Sequence, residues 1–238
     1  MIFYYIRHGD PIYAPDSLTE LGHKQANALS KRLALYGLDE IYCSTSIRAQ
    51  MTAQPTCDCL GKEKVLLDWT NENYAWEDFA VENEEGLKTW PFYIKGYIDK
   101  FRSPEIRQLD NLWYQHPDFK DKPFSRGVER INSELDSFFL SLGYKHDRKN
   151  SRYEVIKNNE KRIALFAHQG FGLAFLSSLM DIPYPTFCTS FDLGHSSVTA
   201  IVFENKNGLS YPKILQFSND SHLYKEEILT GYNNLINI

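Results

Sequence analysis

Two imidazoles, two guanidiniums and a carboxylic acid fall at or just beyond the ends of short apolar runs in this 238-residue sequence. Ile2-Phe3-Tyr4-Tyr5-Ile6 runs into Arg7-His8-Gly9, and Ile41-Tyr42-Cys43 is followed by Ser44 and, four residues on, by Arg48. Val65-Leu66-Leu67 precedes Glu72, and Arg162-Ile163-Ala164-Leu165-Phe166-Ala167 delivers His168-Gln169-Gly170. Arginine is the side chain that forks around phosphoryl oxygens. A histidine can attack phosphorus, and a carboxylic acid can protonate a departing alkoxide. Taken singly, Arg-His-Gly also reads as a solvated turn, and Ser46 to Arg48 as an ordinary capped helix with a surface arginine.

The elements that must position these groups follow from periodicity. Asp10 to Ser17, with two prolines, reads as a loop. Thr19 is placed as an N-cap for a helix through Ala26, Leu29 and Leu33 that Gly37 closes. A second helix begins near Ser46, offering backbone N–H groups and a positive dipole end to an anion. Val128, Ile131, Leu135, Phe138, Phe139 and Leu142 share one face of a helix from Gly127 to Gly143. Lys145 to Lys161 reads as a polar loop, Leu193 to Phe203 leads into a last central strand, Lys213 to Phe217 is an edge strand, and the tail after Asn219 is peripheral. The alternation of strands and helices gives an α/β fold, a three-layer α/β/α arrangement on a mainly parallel sheet. Parallel strands present their carboxyl ends on one side, so the groups named above converge there.

The chain is expected to form one domain, with an aromatic-rich helical insertion at about 73–126 folded over the sheet edge as a lid or cap. Trp69, Trp76, Trp90 and Trp113 cluster in that region, as pocket lining or as the insertion's own core, the latter being the safer reading. A net charge of −5 argues against general nucleic-acid or anionic-membrane binding. The four cysteines lack CxxC spacing and read as reduced thiols. With no stretch as long as a transmembrane helix and a strand in place of a charged leader, the expectation is a soluble cytoplasmic protein. Exposed aromatics in the insertion would suit a homodimer contact, the oligomeric state being open.

Together, Arg7-His8-Gly9, Leu18-Thr19-Glu20-Leu21-Gly22 with Gln25-Ala26, Ser44 with Arg48-Ala49 and Thr52-Ala53, and Ala167-His168-Gln169-Gly170 resemble the histidine phosphatase (phosphoglycerate mutase-like) superfamily. The match runs in the family's order over the first and last thirds of the chain. The resemblance implies that His8 is a nucleophile that becomes phosphohistidine, that Arg7, Arg48 and His168 bind the phosphoryl group, and that no metal or other cofactor is used. Two arginines and His168 would supply the positive field that metals provide in other phosphoryl-transfer sites. Neighbouring cations would keep His8 neutral. The proton donor is assigned to Glu72, with Glu77 next, and Asp68 to a structural role. Ser44 and His195 are further candidates for phosphate contact; His23, His116, His146 and His222 are left as surface or structural.

Asp10 stands where many members carry Glu or Gln, and Ser125-Arg126-Gly127-Val128-Glu129 replaces the usual Gly-Glu-Ser segment. Those departures weaken a mutase. The expectation is therefore a metal-independent phosphomonoester phosphatase acting on a small phosphorylated molecule, with a cofactor-dependent phosphoglycerate-type mutase as the alternative and a non-catalytic phospho-ligand or protein-binding module third. A zinc site on His8 and His168 is disfavoured, because flanking arginines make a poor home for a cation.

Overall fold

The computed structural model describes residues 1–233. Strand β1 (Ile2–Arg7) is followed by a small hairpin, β2 (Pro11–Tyr13) and β3 (Asp16–Leu18), and by helix α1 (Glu20–Tyr36). Next come β4 (Glu40–Ser44), α2 (Ile47–Leu60), β5 (Lys64–Leu67) and α3 (Glu72–Phe79). The segment after α3 holds the short hairpin β6 (Val81–Glu82) and β7 (Lys88–Thr89), then α4 (Lys95–Phe101) and α5 (Pro104–Gln108) among 3₁₀ turns. Helix α6 (Phe124–Ser141) precedes β8 (Tyr144–Asp147), β9 (Arg152–Val155), β10 (Arg162–Ala167) and α7 (Gln169–Leu179). The chain ends through α8 (Tyr184–Cys188), β11 (Val198–Val202), β12 (Leu209–Ser210), β13 (Lys213–Asn219) and α9 (Ser221–Tyr224).

Six strands form the main sheet in the order β13-β11-β1-β10-β4-β5. Strands β1, β10, β4 and β5 run parallel, and β11 pairs antiparallel with β1 on one side and with the edge strand β13 on the other. Alternation along β1 splits the core in two. Phe3 and Tyr5 join Phe138, Phe139, Phe171 and Phe175 from α6 and α7 on one face, while Tyr4 and Ile6 join Leu29, Leu33, Ala49 and Ala53 from α1 and α2 on the other. The result is the three-layer α/β/α arrangement. Among the described residues no helix is long and apolar enough to cross a membrane.

Thr19 caps α1, its side chain accepting from the Gly22 N–H, and Gly37 ends the helix with φ of 71°. Three expectations need correction. The proline-containing segment after Asp10 is a paired hairpin, with Tyr13 opposite Asp16. The segment from Lys145 to Lys161 is not a loop: β8 and β9 pair antiparallel, and β9 pairs with β12. The polar reading failed because Tyr144 and Tyr153 point into the core, and His146, with its side chain fully covered, stacks on Tyr153 at 4.1 Å. The tail is not peripheral, since Gly231 and Asn233 return to the carboxyl edge of the sheet, where they meet His195 and Arg7.

Candidate active site

The register of the sheet sets the site. Arg7 lies opposite Ala167, Phe166 opposite Cys43, and Ser44 opposite Leu67, so four parallel strands end in one row. The residues that follow, His8 and His168 among them, leave that row on the same side, and their rings lie 5.2 Å apart.

The turn after β1 needs glycine at two places. A Cβ on Gly9 would stand 2.8 Å from the Gly22 carbonyl, and one on Gly22 would strike the Asp10 carbonyl, so the start of α1 packs directly on the loop. The Gly9 N–H donates to Thr52 Oγ1 (3.0 Å), and Asp10 N–H to Gln25 Oε1 (2.7 Å). The Gly9 carbonyl is 2.7 Å from His8 Nδ1. A carbonyl only accepts, so the proton sits on Nδ1 and the lone pair on Nε2. Burial, helped by His168, Arg7 and Arg48, holds the His8 pKa well below the ordinary histidine value.

Arg7 is fully buried. It donates to the Leu193 carbonyl, to His195 Nε2 (2.7 Å) and to Asn233 Oδ1 (2.8 Å). Because a guanidinium only donates, His195 Nε2 is the acceptor and its proton lies on Nδ1, 3.5 Å from Asp10 Oδ1. Burial, then Arg7, lowers the His195 pKa to about 3. His195 therefore orients Arg7, and its ring stacks 6.1 Å from that of His8.

Arg48, in the first turn of α2, donates to Asp16 Oδ1 (2.8 Å) and to His168 Nδ1 (3.2 Å), and its guanidinium lies 5.4 Å from the Tyr13 ring centroid. Nδ1 of His168 is thus an acceptor, and its Nε2–H points to Ser44 Oγ at 2.8 Å. Burial, then Arg48 and Arg7, keeps His168 neutral with a pKa well below the usual range. Ser44 stands behind His168 and does not line the cleft. The Nε atoms of both Arg7 and Arg48 are buried without a hydrogen-bond partner. Both side chains line one cleft, and two guanidiniums there suit an anion with several oxygens.

Glu72 opens α3 and reaches the amino end of α7, where its oxygens accept from Gly170 N–H (2.9 Å) and Phe171 N–H (3.1 Å). Burial raises its pKa, outweighing the two N–H groups and Arg48, which act to lower it. Helix α3 is held by Asp78, which accepts from Arg126 (2.7 Å) and Arg130 (2.8 Å) of α6. Glu77 is exposed and outside the cleft. Asp68 accepts from Thr45 (3.1 Å) and Tyr74 (2.7 Å) instead of facing it.

These groups line a cleft of about 430 Å³, walled by Tyr13, Asn73, Trp76, Trp90, Gln169 and Asn233 in addition to Arg7, His8, Arg48 and Glu72. Trp113 is instead core, 1% exposed, and Trp69 packs on Phe171 (5.6 Å). Sequence reading missed Tyr13, Asp16, Asn73, Gln169 and Asn233. Only Gln169, next to His168, carried a local signal. Among the described residues no group of three or more His, Cys, Asp or Glu side chains is arranged to hold a metal ion.

Residues 3–91 match the model of the histidine phosphatase superfamily (branch 1). The fold extends the likeness to nearly the whole chain. A variant of phosphoserine phosphatase from Entamoeba histolytica, solved with phosphoserine, superposes with a TM-score of 0.58 at 19% identity, covering 93% of this chain and 98% of that one. Mycobacterial glucosyl-3-phosphoglycerate phosphatase in complex with VO3 gives 0.57 at 17% identity (91% and 98% covered), and the alpha-ribazole phosphatase of Shigella flexneri gives 0.55 at 18% (92% and 97%). No curated protein sequence matches the chain. The match to the superfamily model rests on residues 3–91, and the chain has the fold of the phosphatases named here. Together that match and these neighbours support a hydrolase acting on phosphoric monoesters.

Proposed function

We propose that the protein is a metal-independent phosphomonoester phosphatase that works through a phosphohistidine on His8. The observation that carries this reading is the His8 ring itself: Nδ1 is tied to the Gly9 carbonyl, Nε2 keeps its lone pair, and Arg7 and Arg48 line the same cleft as His8. A phosphoryl group there would bind to the two guanidiniums, with His168 behind Arg48.

In the first half-reaction Nε2 of neutral His8 attacks phosphorus in line. The N–P bond forms, the P–O bond breaks, and the Glu72 carboxylic acid gives its proton to the departing oxygen. In the second, the Glu72 carboxylate takes a proton from water as it attacks the phosphohistidine, returning neutral His8 and inorganic phosphate. The raised Glu72 pKa supports its role as the acid, a contribution worth roughly a hundredfold to ten-thousandfold. Phosphoserine phosphatase and glucosyl-3-phosphoglycerate phosphatase among the similar structures support a small phosphorylated substrate. The four free thiols support the cytoplasmic reading.

The test is rapid alkaline quench of the protein with phosphomonoesters in the presence of chelator. An acid-labile, alkali-stable phosphoenzyme that forms on the wild type and not on His8→Ala is the expected result. Turnover that vanishes with chelator, or a labelled His8→Ala protein, would overturn the mechanism.

A further inference from the structure

The walls of the cleft beyond the phosphoryl site carry little charge and much aromatic surface, and this bears on what the phosphate is esterified to. The inference rests on the phosphatase reading above.

Among the described residues lining the cleft, the cations are Arg7 and Arg48, and the one carboxylate is Glu72. On that reading a bound phosphoryl group takes both guanidiniums, which line the cleft. No lining cation is then left for a second anion. Lys88 stands near, its Nζ 5.7 Å from the Trp76 ring centroid, but it is exposed, engaged with the indole and not part of the lining.

Helix geometry fixes what the leaving group meets first. Glu72 and Trp76 are separated by four residues on α3, so they share one face, one turn apart. An oxygen protonated by Glu72 therefore has its carbon skeleton beside the Trp76 indole. Trp76 meets Trp90 edge to face at 5.1 Å. Trp90 is pressed so closely on Gly170 that a Cβ at that position would collide with the indole, which fixes the second ring of the wall. Tyr13 adds a third ring, and the exposed Asn73 amide offers a donor and an acceptor without charge, while the Gln169 amide is taken up by Asp192, Tyr93 and Asn233.

We infer that the substrate is the phosphate ester of an uncharged alcohol bearing a ring, which packs against Trp76 and Trp90 while its polar atoms meet Asn73. A phosphorylated carboxylic acid, such as phosphoserine or 3-phosphoglycerate, would place its carboxylate against indole and find no lining cation to pair with there.

The experiment compares kcat/KM for esters with similar alkoxide leaving groups: benzyl phosphate, adenosine 5′-monophosphate and glucose 6-phosphate against O-phosphoserine and 3-phosphoglycerate, with glycerol 3-phosphate as the small neutral reference. The ring-bearing esters are expected to exceed both carboxylates by about tenfold or more, the gain from packing one ring on an aromatic wall. Benzyl ester against sugar ester tells an aromatic ring from a saturated one. In Trp76→Ala the advantage of ring esters over glycerol 3-phosphate should collapse about tenfold, and Trp76→Phe should recover most of it. A carboxylate ester as the best substrate, or equal loss on every ester in Trp76→Ala, would overturn the inference. Should Trp76→Ala fail to fold, the wild-type panel and Trp76→Phe decide. A phosphohistidine formed equally from all donors sinks this inference alone, whereas no phosphoenzyme from any donor sinks the phosphatase reading as well.

Discussion

Asp16 holds Arg48 from two directions: one carboxylate oxygen lies 2.8 Å from Arg48 Nη1, and the other accepts the Ile47 N–H at 2.7 Å. The β2–β3 hairpin thereby caps α2 and aims its arginine in the same contact. Asp16→Ala should raise KM about tenfold, equivalent to about 1.4 kcal/mol of lost positioning. Loss of the cap should cost about 1 kcal/mol of stability. Asp16→Asn, which keeps an acceptor, should lie between. Steady-state kinetics and thermal melts of both variants check this.

Glu72→Gln should lower kcat by about a hundredfold or more while circular dichroism and melting remain those of the wild type. Glu77→Gln, at an exposed position, should turn over normally. Loss of activity in the second variant with retention in the first would move the proton donor to Glu77.

The pH dependence follows from opposite shifts. In the proposed mechanism His8 attacks when neutral, and its pKa is pushed well below 6.5, so kcat/KM should hold as pH falls past the ordinary histidine range. The same mechanism has Glu72 donate when protonated, and its pKa is raised above 4.5, so activity should decline as pH climbs through that raised value. The optimum should lie on the acid side, and Glu72→Gln should abolish the alkaline limb. A limb near 6.5 that disappears in a His8 variant with residual activity would contradict the assignment.

His146 lies between Asp136 (3.0 Å) and Asp181 (2.9 Å). Burial lowers its pKa, but the two carboxylates outweigh burial and the net shift is upward from 6.5. A raised folded-state pKa means the stabilisation is complete below the unfolded value and fades as pH rises through the folded one. The wild type should therefore lose more melting temperature than His146→Gln between about pH 6 and about pH 9, at roughly 2–4 °C per kcal/mol for a chain of this size.

Asn233 accepts from Arg7, and its amide lies 3.3 Å from Gln169 Oε1. Asn233→Ala should raise KM and the inhibition constant for inorganic phosphate about threefold to tenfold, with the melting temperature preserved. An unchanged KM would show that Leu193 and His195 suffice to hold Arg7.

The strands and the residues at their ends were legible because several apolar runs each stop in a charged or imidazole side chain, and parallel strands present those ends on one side; Arg-His-Gly alone would also read as a turn. Thr19 and Gly37 were legible for the same reason, since capping is local. Helix α6 begins at Phe124, before the expected Gly127, because that glycine sits inside the helix where a Cβ would strike Asp78 and Phe79. The β8–β9 hairpin was hidden because its inward positions include a histidine, whose carboxylate partners come from α6 and the turn after α7. Asn233 was invisible for a different reason: it is 226 residues from Arg7, and nothing local marks an asparagine as the acceptor for a distant guanidinium. Asp16 and Tyr13 read as loop residues, and only the hairpin turns them toward Arg48.

The row in which β1, β10, β4 and β5 end works as a ruler cut into the backbone. The separation between the two imidazoles is graduated by strand spacing and register, not by rotamer choice, and a one-residue slip of β10 would swap His168 to the opposite face. The phosphoryl-handling half of the cleft is therefore hard to retune without undoing the sheet. The rings on α3 and the segment after it carry no such graduation. Drift in what the protein accepts can proceed there one side chain at a time, with the instrument that cuts the phosphorus–oxygen bond left in its original calibration.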